Sequence, residues 1–392
     1  MEDLRRHPFY QPLPHPDKIQ NLTCLEDVRK FRQDSWQWNA LHNGRCTASQ
    51  TAAALGFLEP SAGKFLGIPR SLQSDVRRAY HQLSQPALRS LEEMKEELCV
   101  GKGNEHIEAQ SSNSRIWKQI KNRPFPFAAK YYPTVTKSQL KQRREETQRY
   151  MSTSTSSNQV RMRWGNAQEA TSILTALNYF TSHHPGVKFK EVGMCGAGLG
   201  MNDTSDGGLI IGASPDSIIE YPSGRLEVLE VKNHCPFVDN KNWRQTTKEV
   251  NNKDAFRVRD FTIHESVPPA YISQLMMEMM CLGEQCTSAV MVRQTATSGA
   301  IILRMHRDDE WISEMMYWLQ KFTEKYVEKD ESPPVDFFWN DDKESKRYKV
   351  FLQRTKELSE RVELVKRVDH HSIQRMLGEN NMNLPLFLDR IR

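Results

Sequence analysis

The sequence has no long apolar run of the kind that membrane-spanning proteins carry. No stretch of the 392 residues approaches the roughly 20 consecutive apolar residues that a transmembrane helix needs. The first residues, MEDLRRHPFYQPLPHP, contain no apolar segment that would mark the protein for secretion. We therefore expect an intracellular protein without membrane attachment.

Cysteine is scarce and scattered as well. The seven cysteines include no Cys-x-x-Cys pair, and the two nearest in sequence, Cys281 and Cys286, lie at the end of a predicted helix. This spacing argues against a zinc or iron–sulfur site and against a disulfide framework. We expect free thiols in a reducing compartment, such as the nucleus or the replication site of a virus or mobile element.

A strong overall charge is also missing. The net charge of +5 suits a nucleic-acid-binding protein and many other enzymes equally well. Residues 137–163 are locally basic, with seven Lys and Arg against Glu145 and Glu146. This stretch is either a solvated helix with a loop or a surface that faces phosphates.

Changes in composition along the chain predict four regions. We expect a Pro-rich N-terminal extension over the surface (1–35), a helical region with an insertion (36–160), an α/β core (161–330) and a C-terminal tail with an amphipathic helix (331–392). Within the core and tail, the pattern predicts the following elements. They are helices at 166–180, 270–282 and 310–328, strands at 187–192, 209–214, 226–232, 289–293 and 300–307, and a helix within 343–368. The fold class is therefore α/β, with a central mixed sheet flanked by helices.

A charged pair interrupts one apolar strand of this core. Glu230 and Lys232 lie two residues apart and so share a strand face. A Pro-Ser-Gly turn at 222–224 predicts a hairpin that brings Asp216 alongside them. Neighbouring buried carboxylates are costly unless a cation neutralises them, and oxygen ligands suit Mg²⁺ or Mn²⁺. The pattern therefore predicts a metal site for phosphodiester hydrolysis.

These segments resemble a known nuclease superfamily. ASPDSII (213–219) and LEVLEVKN (226–233) are similar to motifs II and III of the PD-(D/E)XK nucleases. WGNAQEATSILTAL (164–177) and PPAYISQLMMEMMCLG (268–283) resemble the helices that carry the family's upstream glutamate and its Tyr-x-x-Gln signature. LHNGRCTASQTAAALG (41–56) resembles the opening segment of the YqaJ-like viral recombinase domain, the group that includes the phage lambda exonuclease. The resemblance implies a restriction-endonuclease-like core.

The resemblance also implies roles for individual residues. Asp216, Glu230 and the carbonyl of Val231 would coordinate the metal, and Lys232 would position the attacking water. Glu169 would complete the carboxylate cluster, directly or through water, unless it is an ordinary exposed helix glutamate. Gln274 would hydrogen-bond near the metal or Lys232, unless it is a helix-surface glutamine. The methionines of MMEMM (276–280) indicate core packing.

A second set of residues would grip the terminal phosphate of a DNA end. The resemblance assigns this role to Arg45, Ser49 and Ser214, although Ser49 also suits the N-cap of the following helix. His42 stands where the family often has a second arginine, which implies weaker or more pH-dependent gripping. The long segment between Ser49 and Glu169 is an insertion that covers the cleft, recruits a partner or pads the fold.

The function implied is a Mg²⁺-dependent DNA exonuclease of the recombination type, with Mn²⁺ as a substitute, acting 5′ to 3′ on duplex ends. The alternatives are a structure-selective or nicking endonuclease on the same core, and a DNA-binding or scaffold protein that does not cut. The partners implied are DNA ends, a single-strand annealing protein and further copies of the same chain.

Overall fold

The computed structural model describes residues 2–5, 7–69, 73–99, 157–199, 208–239, 256–258, 262–295, 298–369 and 372–373. Most of the basic stretch at 137–163, about half of the insertion between Ser49 and Glu169, and the end of the tail lie outside these ranges. The helices are α1 Glu2–Arg5, α2 Trp36–Ala40, α3 Ala48–Ala54, α4 Pro60–Leu66, α5 Gln73–Leu83, α6 Leu91–Cys99, α7 Ser157–His183, α8 Pro269–Leu282, α9 Asp309–Phe322 and α10 Ser345–Glu360. The strands are β1 Tyr10–Gln11, β2 Cys46–Thr47, β3 Lys188–Lys190, β4 Ile211–Gly212, β5 Ser217–Glu220, β6 Leu226–His234, β7 Phe237–Asp239, β8 Phe256–Val258, β9 Cys286–Thr295, β10 Gly299–His306 and β11 Glu363–Val368.

A seven-stranded mixed sheet forms the centre of the molecule. Its strand order is β1-β3-β5-β6-β9-β10-β11, with β1 parallel to β3 and β6 parallel to β9. The remaining neighbours pair antiparallel. The predicted α/β class with a central mixed sheet is confirmed.

Alternation along the central strands divides the core into two layers. Val228 and Met291 pack into a cluster with α3, α8, α9 and α10, whereas Leu229, Val231 and Val292 pack against α7 on the opposite face. Each fully buried side chain of this size contributes about 1.5–3 kcal/mol relative to exposure. The predicted arrangement of helices on both faces is therefore confirmed. None of the helices in the described ranges has the length and apolar character that a membrane span requires.

The hairpin was predicted correctly, but its first strand lies elsewhere. The turn at 222–224, with Gly224 at φ +83°, joins β6 to β5. The predicted strand at 209–214 is shorter in the structure and is not part of the hairpin. It covers Ile211–Gly212, which pair in parallel with Cys46–Thr47, and Ala213 forms an isolated bridge with Cys195. Pro215 has no N–H to donate, so it cannot continue a ladder from that segment into β5.

The two chain ends also differ from prediction. The first 35 residues do not simply cover the surface, because Leu22, Val28 and Phe31 are fully buried and β1 joins the edge of the main sheet. The predicted amphipathic helix in the tail ends at Glu360, and β11 follows it and pairs with β10. The β-branched residues after Arg361 favour a strand once an unpaired edge is available. The predicted region boundaries at 35, 160 and 330 stay predictions.

Candidate active site

The β5–β6 hairpin brings the predicted acidic residues together. Ser217 pairs with Leu229, so the same register continued by one pair sets Asp216 opposite Glu230. The Asp216 Oδ2 atom accepts a hydrogen bond of 2.7 Å from the backbone N–H of Val231. Because Asp216 lies between Pro215 and the first residue of β5, its carboxylate closes the end of the ladder. The three residues 216, 230 and 231 therefore form one compact group.

Glu230 is the most enclosed member of this group. It is 4% exposed, and its Oε1 atom accepts hydrogen bonds from Lys232 Nζ at 2.5 Å and from Gln274 Nε2 at 2.6 Å. The Lys232 ammonium also lies 4.8 Å from the centre of the Tyr271 ring. Helix α8 supplies both Tyr271 and Gln274, three residues apart and hence on one face. The structure thus places Gln274 at the site and not on the helix surface.

Electrostatics at the site favour a bound cation. Burial raises the pKa of Asp216 well above its usual value, and the charges of Glu230 and Glu169 raise it further. Burial by itself would lower the pKa of Lys232, but Glu230, Tyr271 and Asp216 raise it above its usual value. Lys232 is therefore a charged donor at neutral pH. One ammonium group does not offset this many carboxylates, so the donor set fits a divalent metal ion with oxygen ligands.

Glu169 lies near enough to Asp216 to act on it electrostatically. The residue is half-buried on α7, and its charge acts on the pKa of both Asp216 and Tyr10. Among the described residues, no three His, Cys, Asp or Glu side chains are close enough together to hold a metal ion. Asp216, Glu230 and the Val231 carbonyl stay the predicted ligands, and the predicted role of Glu169 in the carboxylate cluster, directly or through water, stays a prediction.

The residues predicted to grip phosphate differ in their surroundings. Arg45 is 1% exposed, and it donates through Nε to the Leu41 carbonyl at 3.0 Å and through Nη1 to the Ile211 carbonyl at 2.6 Å. Its guanidinium therefore bonds to two backbone carbonyls inside the protein. The Ser214 Oγ atom accepts a 2.8 Å hydrogen bond from Trp38 Nε1.

The surroundings of Ser49 and His42 bear on the roles predicted for them. Ser49 is exposed, but α3 begins at Ala48 with Thr47 in the N-cap position, so the prediction of Ser49 as N-cap is wrong. Burial lowers the pKa of His42, whose ring contacts Trp38 edge-on at 4.1 Å between centroids. His42 is consequently neutral near pH 7 and supplies no charge in place of the missing arginine.

The sequence reasoning missed two residues near the site. Glu278 is 1% exposed on α8, and its Oε1 atom accepts a 2.9 Å hydrogen bond from Gln274 Nε2. Burial, and then the charge of Glu230, raises its pKa. A single acid in the apolar run MMEMM, one helical turn after Gln274, was an available signal.

The second missed residue is Tyr10, which is 3% exposed. Burial raises the pKa of its hydroxyl, and the charges of Glu191, Glu169 and Asp216 raise it further. Only the pairing of β1 with β3 reveals it.

Comparison with known proteins adds a domain match. Residues 128–285 match the model of the YqaJ-like viral recombinase domain. No curated protein matches the chain. Among solved structures, the alkaline exonuclease LHK-Exo from Laribacter hongkongensis is 15% identical, over 76% of this chain and 94% of its own, with a TM-score of 0.31. The same enzyme in complex with dAMP is 14% identical, over 81% of this chain and 100% of its own, with a TM-score of 0.31. Likenesses at that TM-score do not by themselves establish a shared fold.

Proposed function

We propose that the chain is a metal-dependent DNA exonuclease of the recombination type, a proposal supported by the match of residues 128–285 to the model of the YqaJ-like viral recombinase domain. It would hydrolyse phosphodiester bonds from duplex ends in the 5′ to 3′ direction. The observation that carries the proposal is the convergence of Asp216, Glu230 and Lys232 at the end of one hairpin.

Three oxygen donors would hold the metal ion. Asp216, Glu230 and the backbone carbonyl of Val231 suit Mg²⁺, and Mn²⁺ would substitute for it. When bound, the ion would supply an activated water and offset negative charge on the phosphoryl group. The two carboxylates are already held in place, one by the Val231 N–H and the other by Lys232 and Gln274.

Lys232 acts as a hydrogen-bond donor in this proposal. Glu230, Tyr271 and Asp216 raise the pKa of Lys232, so its ammonium would orient the attacking water and stabilise the developing phosphate charge. Gln274 holds Glu230 from the side opposite the hairpin turn, on α8. Glu169 adds the negative charge that makes the site selective for a cation over an anion.

End recognition rests on Ser214 more than on Arg45. The Ser214 hydroxyl points its proton at the Met194 sulfur, 3.7 Å away, which is a weak acceptor that a phosphate oxygen would replace. Ser49 is exposed and offers a second hydroxyl. Arg45 would have to give up two carbonyl partners before it could bind phosphate.

The burial of Arg45 favours a second candidate function. An enzyme without a displayed guanidinium has less means to detect a terminal phosphate, which suits a structure-selective or nicking endonuclease on the same core. A protein that binds DNA without cutting fits less well, since Asp216, Glu230 and Lys232 are all present and together. A single-strand annealing protein and further copies of this chain stay predicted partners.

Digestion of end-labelled linear duplex with Mg²⁺ tests the proposal, with 5′-phosphate and 5′-hydroxyl ends run in parallel. Closed circular plasmid should stay intact, and Asp216→Ala should lose all cleavage, whereas the exposed-carboxylate control Asp342→Ala should keep it. Nicking of the closed circle would support the endonuclease. Unchanged cleavage by Asp216→Ala would remove the mechanism altogether.

A further inference from the structure

Helix α8 carries a carboxylate where its surroundings favour an apolar side chain. Glu278 is 1% exposed, and its neighbours along the helix, Met276, Met277 and Met279, are fully buried. The Oε2 atom of Glu278 is buried without a hydrogen-bond partner. A buried carboxylate with an unsatisfied oxygen destabilises a fold, whereas methionine at the same position would pack like its neighbours.

The other oxygen of Glu278 makes one specific contact. Gln274 Nε2 donates to Glu278 Oε1 at 2.9 Å and to Glu230 Oε1 at 2.6 Å, so both amide protons are used. If the amide were reversed, its carbonyl oxygen would face two carboxylates. Glu278 and Glu230 together therefore determine which end of the Gln274 amide points at the hairpin.

Orientation of this amide decides how firmly Glu230 is held. Glu230 Oε1 is shared between Lys232 Nζ and Gln274 Nε2. Without Glu278 as its second acceptor, the Gln274 amide could rotate or move away. Glu230 would then keep only the hydrogen bond from the flexible Lys232 side chain. Partners of a metal-binding carboxylate typically change metal affinity or activity by about 10- to 100-fold when they are removed.

We propose that Glu278 is a positioning residue that acts through Gln274 to fix Glu230 for metal binding. Its effect on cleavage rests on the proposed nuclease function, whereas its effect on metal affinity is measurable without DNA. The burial of Glu278 thus lowers the stability of the fold, but it keeps Gln274 and Glu230 in the geometry that metal binding needs.

Calorimetric titration with Mn²⁺ and thermal unfolding in EDTA test this role on the full chain. Glu278→Met should weaken Mn²⁺ binding by about 10- to 100-fold, while its Tm in EDTA equals or exceeds that of the wild type. Replacement of buried charged groups by apolar ones is often neutral or stabilising. Glu278→Gln keeps an acceptor oxygen for Gln274 and should bind Mn²⁺ like the wild type.

Glu227→Gln is the matched control. Glu227 is a fully buried carboxylate of the same strand as Glu230, bonded to Ser288 and Arg304 away from the site. This variant should lower the Tm and leave Mn²⁺ affinity unchanged. If Glu278→Met instead lowers the Tm or yields no folded protein, Glu278 is a structural residue and the proposal fails. Unchanged Mn²⁺ affinity in folded Glu278→Met overturns it as well.

A double-mutant cycle shows whether Glu278 acts through Gln274. Gln274→Met/Glu278→Met should bind Mn²⁺ no more weakly than Gln274→Met alone, because the amide that Glu278 orients is already absent. Additive losses would contradict the proposed route. If the wild type binds Mn²⁺ but cuts no DNA, the nuclease function fails, and the Mn²⁺ titrations still decide the role of Glu278.

Discussion

Replacing Lys232 by methionine removes the ammonium group that donates to Glu230. The two side chains are 27% and 5% exposed, and they lie 2.5 Å apart. Loss of one partner from a buried ion pair costs about 3–5 kcal/mol, whereas an exposed pair contributes about 0–1 kcal/mol. Because the lysine is partly exposed, we expect a loss of about 2–3 kcal/mol in the free energy of unfolding, or roughly 30- to 150-fold in the unfolding equilibrium.

A metal ion should repair most of this loss. In the wild type a bound cation is repelled by the neighbouring ammonium, whereas in Lys232→Met it replaces the missing charge. A ligand at 100 times its dissociation constant stabilises a protein by about 2.7 kcal/mol. Urea unfolding of the wild type and of Lys232→Met, in EDTA and in saturating Mn²⁺, measures how much of the stability deficit the metal removes. DNA cleavage by Lys232→Met should be abolished.

The control for this experiment is a lysine on the same sheet. Lys190 pairs with Glu220 at 2.6 Å, but both side chains are about one third exposed. Lys190→Met should cost less than about 1 kcal/mol, with no dependence on Mn²⁺. An equal stability deficit of Lys232→Met in EDTA and in Mn²⁺ would refute the reasoning, since the lysine would then not share its role with a cation.

Three further substitutions separate charge, ligation and structure. Asp216→Asn should abolish cleavage yet raise the Tm, because it removes a buried carboxylate that Glu230 and Glu169 repel; a lower Tm would contradict this. Glu230→Gln should weaken Mn²⁺ binding in calorimetry as well as turnover, and a change in turnover alone would deny it a ligand role. Arg45→Met leaves two buried carbonyls unsatisfied and should lower the free energy of unfolding by about 2–4 kcal/mol. Its cleavage of 5′-phosphate and 5′-hydroxyl ends should fall equally, and a selective loss on phosphorylated ends would restore Arg45 as a phosphate ligand.

Local patterns predicted the centre of the site because its chemistry is local. The period of a strand puts Glu230 and Lys232 on one face, and the turn at 222–224 makes the hairpin. The same reasoning misplaced the first hairpin strand, since the apolar residues at 209–214 are as strand-like as 217–220. Only the pairing of Ile211–Gly212 with a distant segment distinguishes the two.

Long-range contacts account for what the sequence could not predict. The guanidinium of Arg45 is oriented by the carbonyl of Ile211, 166 residues away. The sequence shows Glu278 only as one polar residue in a core helix. Its link to Glu230 depends on the hydrogen bonds that Gln274 donates to both carboxylates. The position of Tyr10 near the carboxylates depends on the pairing of β1 with β3 at the edge of the sheet. The pattern of the first residues does not predict this pairing.

The pairing of β1 with β3 has a consequence for how the protein is made. The Leu13 N–H binds Glu191, 178 residues later in the chain, so at about 5–20 residues per second the N-terminal strand leaves the ribosome roughly 10–35 s before its partner exists. The hairpin with Asp216 and Glu230 then follows within about 2–8 s at the same rate. The nascent chain therefore completes the pairing of β1 with β3 and the acidic groups of the candidate site almost together.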